Sequence, residues 1–294
     1  MTNTPDARAV QRSVPAPRVL TSFSALWGGD PAQVVDHDEF RTGLSSLHAS
    51  QEPSPHGFPR GAMAGRALHA ILERWQWHED ANGSALASLT AQVLAEEGLP
   101  AEWDTVVVSW LRALMATPLM ADGMRLGALD PARQAREMAF AFPVTGMRQK
   151  RIDALIAGLD PHWAKRPNAG QAALSGALRG VIDLVFEYEG RYYLVDYKSN
   201  WLGPRAQDYT AEALAAAMAG GGYTAQALIY ALALHRHVRA CVPAYDPARD
   251  FGGVFYLFLR GMAPDAPGRG VVQLRPDPAL LRQLDALMAG GEAA

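Results

Sequence analysis

The stretch Gly180-Val181-Ile182-Asp183-Leu184-Val185-Phe186-Glu187-Tyr188, Glu189-Gly190, Arg191-Tyr192-Tyr193-Leu194-Val195-Asp196-Tyr197-Lys198 decides the fold. Two β-rich runs flank a short turn containing glycine, which predicts a hairpin. With Glu189 and Gly190 as the turn, Tyr188 faces Arg191 and every facing pair has numbers summing to 379. Asp183 and Asp196 sum to 379, so they are expected to stand opposite each other, with Cβ atoms about 5 Å apart. The period of two puts Lys198 on the same face. Ile182, Leu184, Phe186 and Val195 around them are apolar. Carboxylates opposed in a buried sheet repel each other and resist desolvation unless a cation lies between them. On that geometry Asp196→Ala relieves repulsion in the metal-free protein and leaves the fold intact.

The ordinary alternative is a solvated strand-edge Asp183 beside a surface Asp196–Lys198 ion pair, since perturbed acids are often structural. The register argues for chemistry instead. Mg2+ takes oxygen ligands, commonly one or two carboxylates, and keeps several waters. A lysine two residues beyond the second acid can position an attacking water and help deprotonate it, while the metal polarises a phosphate. The expected reaction is phosphodiester hydrolysis.

The 294 residues, 49% of them hydrophobic, can bury a full core as one large domain. A net charge of −3 with only 19% charged residues does not mark a free-standing nucleic-acid binder. A partner that delivers the DNA would lessen the phosphate affinity this chain must supply. A single cysteine, Cys241, excludes a disulfide framework and any site needing several thiolates, iron–sulfur nucleases among them. No secretory or membrane-spanning segment stands out, so a cytoplasmic location is expected.

Residues 1–17 carry three prolines and suit a disordered arm or linker stub, leaving 18–294 as the domain. Asp30 to Arg60 reads as a long connection. Leu68, Ile71, Leu72 and Trp75 recur at helical spacing from Ala62 to Trp77, and further helices are expected near 84–97 and 101–116, closed by Thr117-Pro118. Glu137 to Val144 favours a strand, as does Gly253 to Arg260. Pro278 to Met288 has leucines at helical spacing before a Gly-Gly stop. Gln226 and Tyr230, at i and i+4, share a helix face and are either a polar stripe or positioning residues. His235-Arg236-His237-Val238-Arg239 suits either a solvated helix end or phosphate contact.

The run Gly180 to Phe186 with Arg191 to Gly203 resembles the C-terminal nuclease domain of the RecB family, of the PD-(D/E)xK nuclease superfamily. Further similarity touches Thr21–Ser24, Phe58 to Ala62, Leu68-His69, Gln226 to Arg236 and Phe251 to Gly261. The resemblance implies an α/β, restriction-endonuclease-like core: a central mixed β-sheet flanked by helices, with helical N-terminal insertions. It implies that His69, Asp183 and Asp196 bind a metal together with the main-chain carbonyl of Tyr197, and that Lys198 is the catalytic lysine. Glu137 sits where the family places an acid near the metal, with Ala139 where a second acid is expected. Gly65 and Glu73 lie one turn either side of His69, on its face. Gln226 and Tyr230 match the family's Gln-x-x-x-Tyr element, with a DNA-positioning or supporting role.

The implied cofactor is Mg2+, for which Mn2+ or Ca2+ can stand in, and the implied substrate is a DNA single strand threaded from a duplex end. RecC- and RecD-like subunits and RecA are the implied partners, in processing DNA ends for recombinational repair. No Gly-x-x-x-x-Gly-Lys-Ser/Thr phosphate loop is present, so the helicase motor is expected elsewhere, on a longer chain or a partner. An idle docking module is the alternative; it would be expected to have lost Asp183, Asp196 or Lys198, and all three stand.

Overall fold

The apolar spacings resolve into a mixed sheet clasped between two helical layers. The computed structural model describes residues 19–22, 53–80, 82–159 and 173–290. In chain order the strands are β1 (Val19–Ser22), β2 (Gln134–Arg148), β3 (Ala173–Tyr188), β4 (Arg191–Lys198), β5 (Phe251–Phe258) and β6 (Val271–Leu274). The helices are α1 (Ala62–Arg74), α2 (Ser84–Glu96), α3 (Asp104–Ala116), α4 (Gln149–Leu159), α5 (Ala211–Gly220), α6 (Tyr223–Cys241), α7 (Pro247–Asp250) and α8 (Pro278–Met288).

The expected hairpin, the β2 and β5 strands and the helices near 62, 84, 101, 223 and 278 are all present. α1 stops at Arg74 rather than Trp77, because Trp75 turns extended while its N–H still bonds the Ile71 carbonyl. Trp75 and Trp77 nevertheless enter the core, so the apolar pattern outruns the helix. The arm at 1–17 and most of the connection at 30–60 lie outside the described residues.

Sheet order is β1-β3-β4-β5-β6, with β2 alongside β3. β1–β3 and β4–β5 are parallel; β2–β3, β3–β4 and β5–β6 are antiparallel. One face packs on α1, α2 and α3 through Leu68, Ile71, Leu72, Trp110, Leu184 and Val195. The other packs on α4, α5, α6 and α8 through Ile152, Ile182, Leu194, Ile229 and Leu284. Truncating a fully buried leucine such as Leu68 costs about 2–5 kcal/mol. The mixed sheet with helices on both sides is the restriction-endonuclease-like core expected from the sequence.

The hairpin turn is as expected. Glu189 and Gly190 both take left-handed backbone, φ 50° and 76°, a pair that continues the strand twist. The ladder then runs from Tyr188↔Arg191 to Leu184↔Val195 with every sum 379. On the same edge of β3, β1 pairs only as far as Ser22↔Arg179. Residues 180–183 therefore lie between the ends of two neighbouring strands, with β2 along their other side. The site is built at this gap.

Candidate active site

At the gap the alternation of side chains breaks. Ile182 and Leu184 are two residues apart and should share a face, yet they join opposite cores. β2 does the same: Met138 packs with one core, whereas Arg136 lies over the Trp77 ring, at 3.7 Å, in the other. Between the pairs Met138↔Ile182 and Arg136↔Leu184 stand Glu137, with φ 49°, and Asp183. A left-handed Glu is uncommon and strained, and such strain persists only where its surroundings impose it. Arg136 supplies part of that constraint by donating to the Glu73 and Trp75 carbonyls at the end of α1.

The expectation of Asp183 and Asp196 directly opposed is corrected here, since the ladder stops one pair short of them. Asp183 Oδ2 instead accepts the Tyr197 N–H at 2.7 Å, standing in for the ladder. Its other oxygen lies 3.5 Å from His69 Nδ1, and His69 Nε2 contacts the Tyr197 carbonyl at 3.0 Å. Both main-chain groups of Tyr197 are thus drawn into the site. Asp196 turns to Lys198, whose Nζ lies 2.7 Å from Asp196 Oδ1, with both side chains 4% exposed. A buried carboxylate is far better neutralised by an ammonium than set against a second acid. The expected relief of repulsion in Asp196→Ala therefore loses its basis.

His69, Glu137 and Asp183 each offer a ligand atom, and the three atoms lie within 4.8 Å of one another. Among the described residues this is the only such cluster, and Asp196 is outside it. Burial would raise the Asp183 acid, but His69, the Tyr197 N–H and Lys198 prevail and hold it below its ordinary value. Glu137 keeps contact with solvent, yet partial burial, then Asp183 and Glu73, push its carboxyl up to about 7 against the pull of His69. Two acids that resist joint ionisation, an imidazole and a nearby carbonyl form a donor set suited to a divalent cation.

Beneath the Asp196–Lys198 pair lie aromatic rings. Lys198 Nζ is 4.2 Å from the Tyr223 ring centre and 5.6 Å from that of Tyr256, which pairs with Asp196 across β4–β5. Tyr256 OH donates to Gln226 Oε1 at 2.9 Å, and Gln226 Nε2 donates to Tyr230 OH at 3.2 Å. Burial, then the Asp196 charge, raises the hydroxyls of both Tyr230 and Tyr256, keeping them neutral. Gln226 and Tyr230 are thus set under the lysine pair, in a hydrogen-bonded chain. Tyr223 and Tyr256 were not singled out from sequence. Tyr223, Gln226 and Tyr230 recur at i, i+3 and i+7, a signal for the first; Tyr256 is recognisable only once β5 is registered on β4.

The basic run at the end of α6 holds a structural partner: Arg236 Nε donates to Asp285 of α8 at 2.5 Å. No helix among the described residues is long and apolar enough to cross a membrane.

Residues 43–289 match the PD-(D/E)XK nuclease superfamily. The RecBCD enzyme subunit RecB of Escherichia coli (strain K12) is 37% identical over 249 residues, which cover 84% of this chain and 21% of that protein. The RecB subunit of Haemophilus influenzae is 39% identical over 229 residues, 77% of this chain and 18% of the relative. That of Mycobacterium tuberculosis (strain H37Rv) is 35% identical over 270 residues, 79% and 24%. The chain thus spans about a fifth to a quarter of the length of these curated relatives.

Proposed function

This chain belongs to the PD-(D/E)XK nuclease superfamily, and from that premise we propose that it is a Mg2+-dependent DNA nuclease acting as the nuclease module of a RecBCD-like assembly. The observation that carries this reading is the joining, through the main chain of Tyr197, of the His69–Glu137–Asp183 cluster to the Asp196–Lys198 pair.

His69, Asp183, Glu137 and the Tyr197 carbonyl would hold the cation, with Asp196 as a further ligand. When bound, it would polarise the phosphate and stabilise the leaving oxygen. Lys198, its ammonium fixed by Asp196 and the Tyr223 ring, would orient the attacking water and stabilise by its charge the hydroxide formed as the proton passes to solvent. The oxygen would then add to phosphorus as the P–O ester bond breaks, and the leaving oxygen would take up a proton from solvent. Gln226 and Tyr230 would hold the floor under Lys198 through Tyr256. The assignment to end processing in recombinational repair, the RecC-, RecD- and RecA-like partners, a helicase feeding the strand and the cytoplasmic location all rest on the likeness to RecB subunits.

The test is cleavage of linear single-stranded DNA by the purified chain with Mg2+, with EDTA, and with Lys198→Ala. Cleavage confined to the wild type with metal is expected. Cleavage that survives EDTA or the lysine substitution would refute the assignment.

A further inference from the structure

A buried arginine lies behind the site, and nothing in the chemistry so far uses it. Arg260 sits in the tight turn Leu259–Gly261 that follows β5 and is 2% exposed. Its Nε donates to the Ser199 carbonyl at 2.8 Å, one residue past Lys198. Its terminal nitrogens donate to the carbonyls of Pro55 at 2.6 Å, Phe58 at 2.9 Å and Pro59 at 2.6 Å. Residues 55–59 lead directly into α1, which carries His69.

These contacts close a ring. Arg260 joins the entrance of α1 to the exit of β4, and His69 joins the body of the same helix to Tyr197 on the same strand. α1 is therefore pinned to the catalytic strand at two points. A planar fork can span both segments at once, whereas an ammonium on a single stem cannot. Phe58, packed edge-on against Trp103 and Trp110, fills the space around the guanidinium.

We infer that Arg260 is a positioning residue that sets the metal-ligand helix against the lysine-bearing strand, so that cation affinity and turnover depend on it although it touches neither cation nor DNA. The inference rests on the metal-nuclease reading above. Without the clamp, α1 keeps its core contacts but can pivot about His69, which spreads the ligand atoms.

Arg260→Lys retains the charge and some of the bonds, so it serves as the test. Arg275→Lys is the control: it removes a like fork that donates to the Phe251 and Ala248 carbonyls at the opposite end of β5, and leaves the clamp intact. Mn2+ affinity is read by paramagnetic resonance titration, independently of activity, and kcat and KM are measured for single-stranded DNA. Arg260→Lys is expected to weaken Mn2+ binding about tenfold and to lower kcat similarly, as loss of supporting contacts commonly does, with KM unchanged. Arg275→Lys is expected to leave all three unchanged.

A folded Arg260→Lys with wild-type Mn2+ affinity and kcat would overturn the inference alone. A wild type that binds no Mn2+ would overturn the metal reading and this inference with it. A second measurement needs no variant: Mn2+ is expected to slow hydrogen exchange at the Gly57 and Phe58 amides, because coupling between the two ends of the ring is reciprocal. Exchange there that ignores the metal would overturn the inference.

Discussion

Asp196→Ala, measured in EDTA, separates a buried ion pair from a pair of opposed acids. In the structure Asp196 neutralises Lys198 at 2.7 Å, with both side chains 4% exposed. Removing the carboxylate strands an ammonium in the interior, a change that costs about 3–5 kcal/mol when one member of a buried pair is deleted. The Tyr223 and Tyr256 rings remain and hold back on the order of 1 kcal/mol of that as cation–π attraction, so the loss should fall near 3 kcal/mol. For a chain of this size that lowers Tm by roughly 6–12 °C. The assay is urea unfolding of wild type, Asp196→Ala, Lys198→Met and the double variant, all metal-free. The double variant is expected to be more stable than Asp196→Ala, since no uncompensated charge is left. An Asp196→Ala as stable as wild type, or stabilised, would refute the ion-pair reasoning and restore opposed carboxylates.

Glu137→Gln should raise the metal-free Tm above pH 7 and lose that advantage toward pH 5. The raised acid, at about 7 against 4.5, binds its proton more tightly folded than unfolded, so its contribution to stability falls as pH climbs through that window; an advantage independent of pH would contradict this. His69→Ala should raise the Mg2+ concentration for half-maximal cleavage at least about tenfold, extending the effect known for supporting residues to a ligand. Its metal-free Tm should also fall, because the substitution removes the contact to the Tyr197 carbonyl and the imidazole beside buried Asp183. Gln226→Leu leaves the fully buried Tyr256 hydroxyl without its acceptor and should cost about 1–3 kcal/mol in urea unfolding; an unchanged midpoint would show that the chain from Tyr256 to Tyr230 carries no stability.

The hairpin register was legible because Glu189-Gly190 admits one tight turn and the period of two carries the pairing inward from it. The same rule failed at Asp183. Counting by twos assumes a regular pleat, whereas β2 and β3 exchange faces at Glu137 and Asp183. That exchange is held across the hairpin by the Tyr197 N–H and, from outside it, by His69 on α1 and by Arg136 gripping the end of α1. Short-range pattern holds no trace of such distant constraints. Asp183, Asp196, Lys198 and His69 were found as residue types in a pattern and by resemblance, but their division into a ligand cluster and an ion pair was not. Strands β1 and β6 are four residues each, too short for an alternation to declare itself, and α5 is alanine-rich; α4 does carry the helical spacing, in Ile152, Leu155, Ile156 and Leu159, and was overlooked. Arg260 was quoted only within a strand-like run; its four carbonyl partners are as much as 205 residues away in sequence.

The most direct test is to locate a cation. Crystals of the wild type grown with Mn2+ should give an anomalous peak within coordination distance of His69, Asp183, Glu137, the Tyr197 carbonyl and Asp196, with the Lys198 ammonium beside it. A peak bound by other residues, or none at a concentration that supports cleavage, would contradict the account of this site.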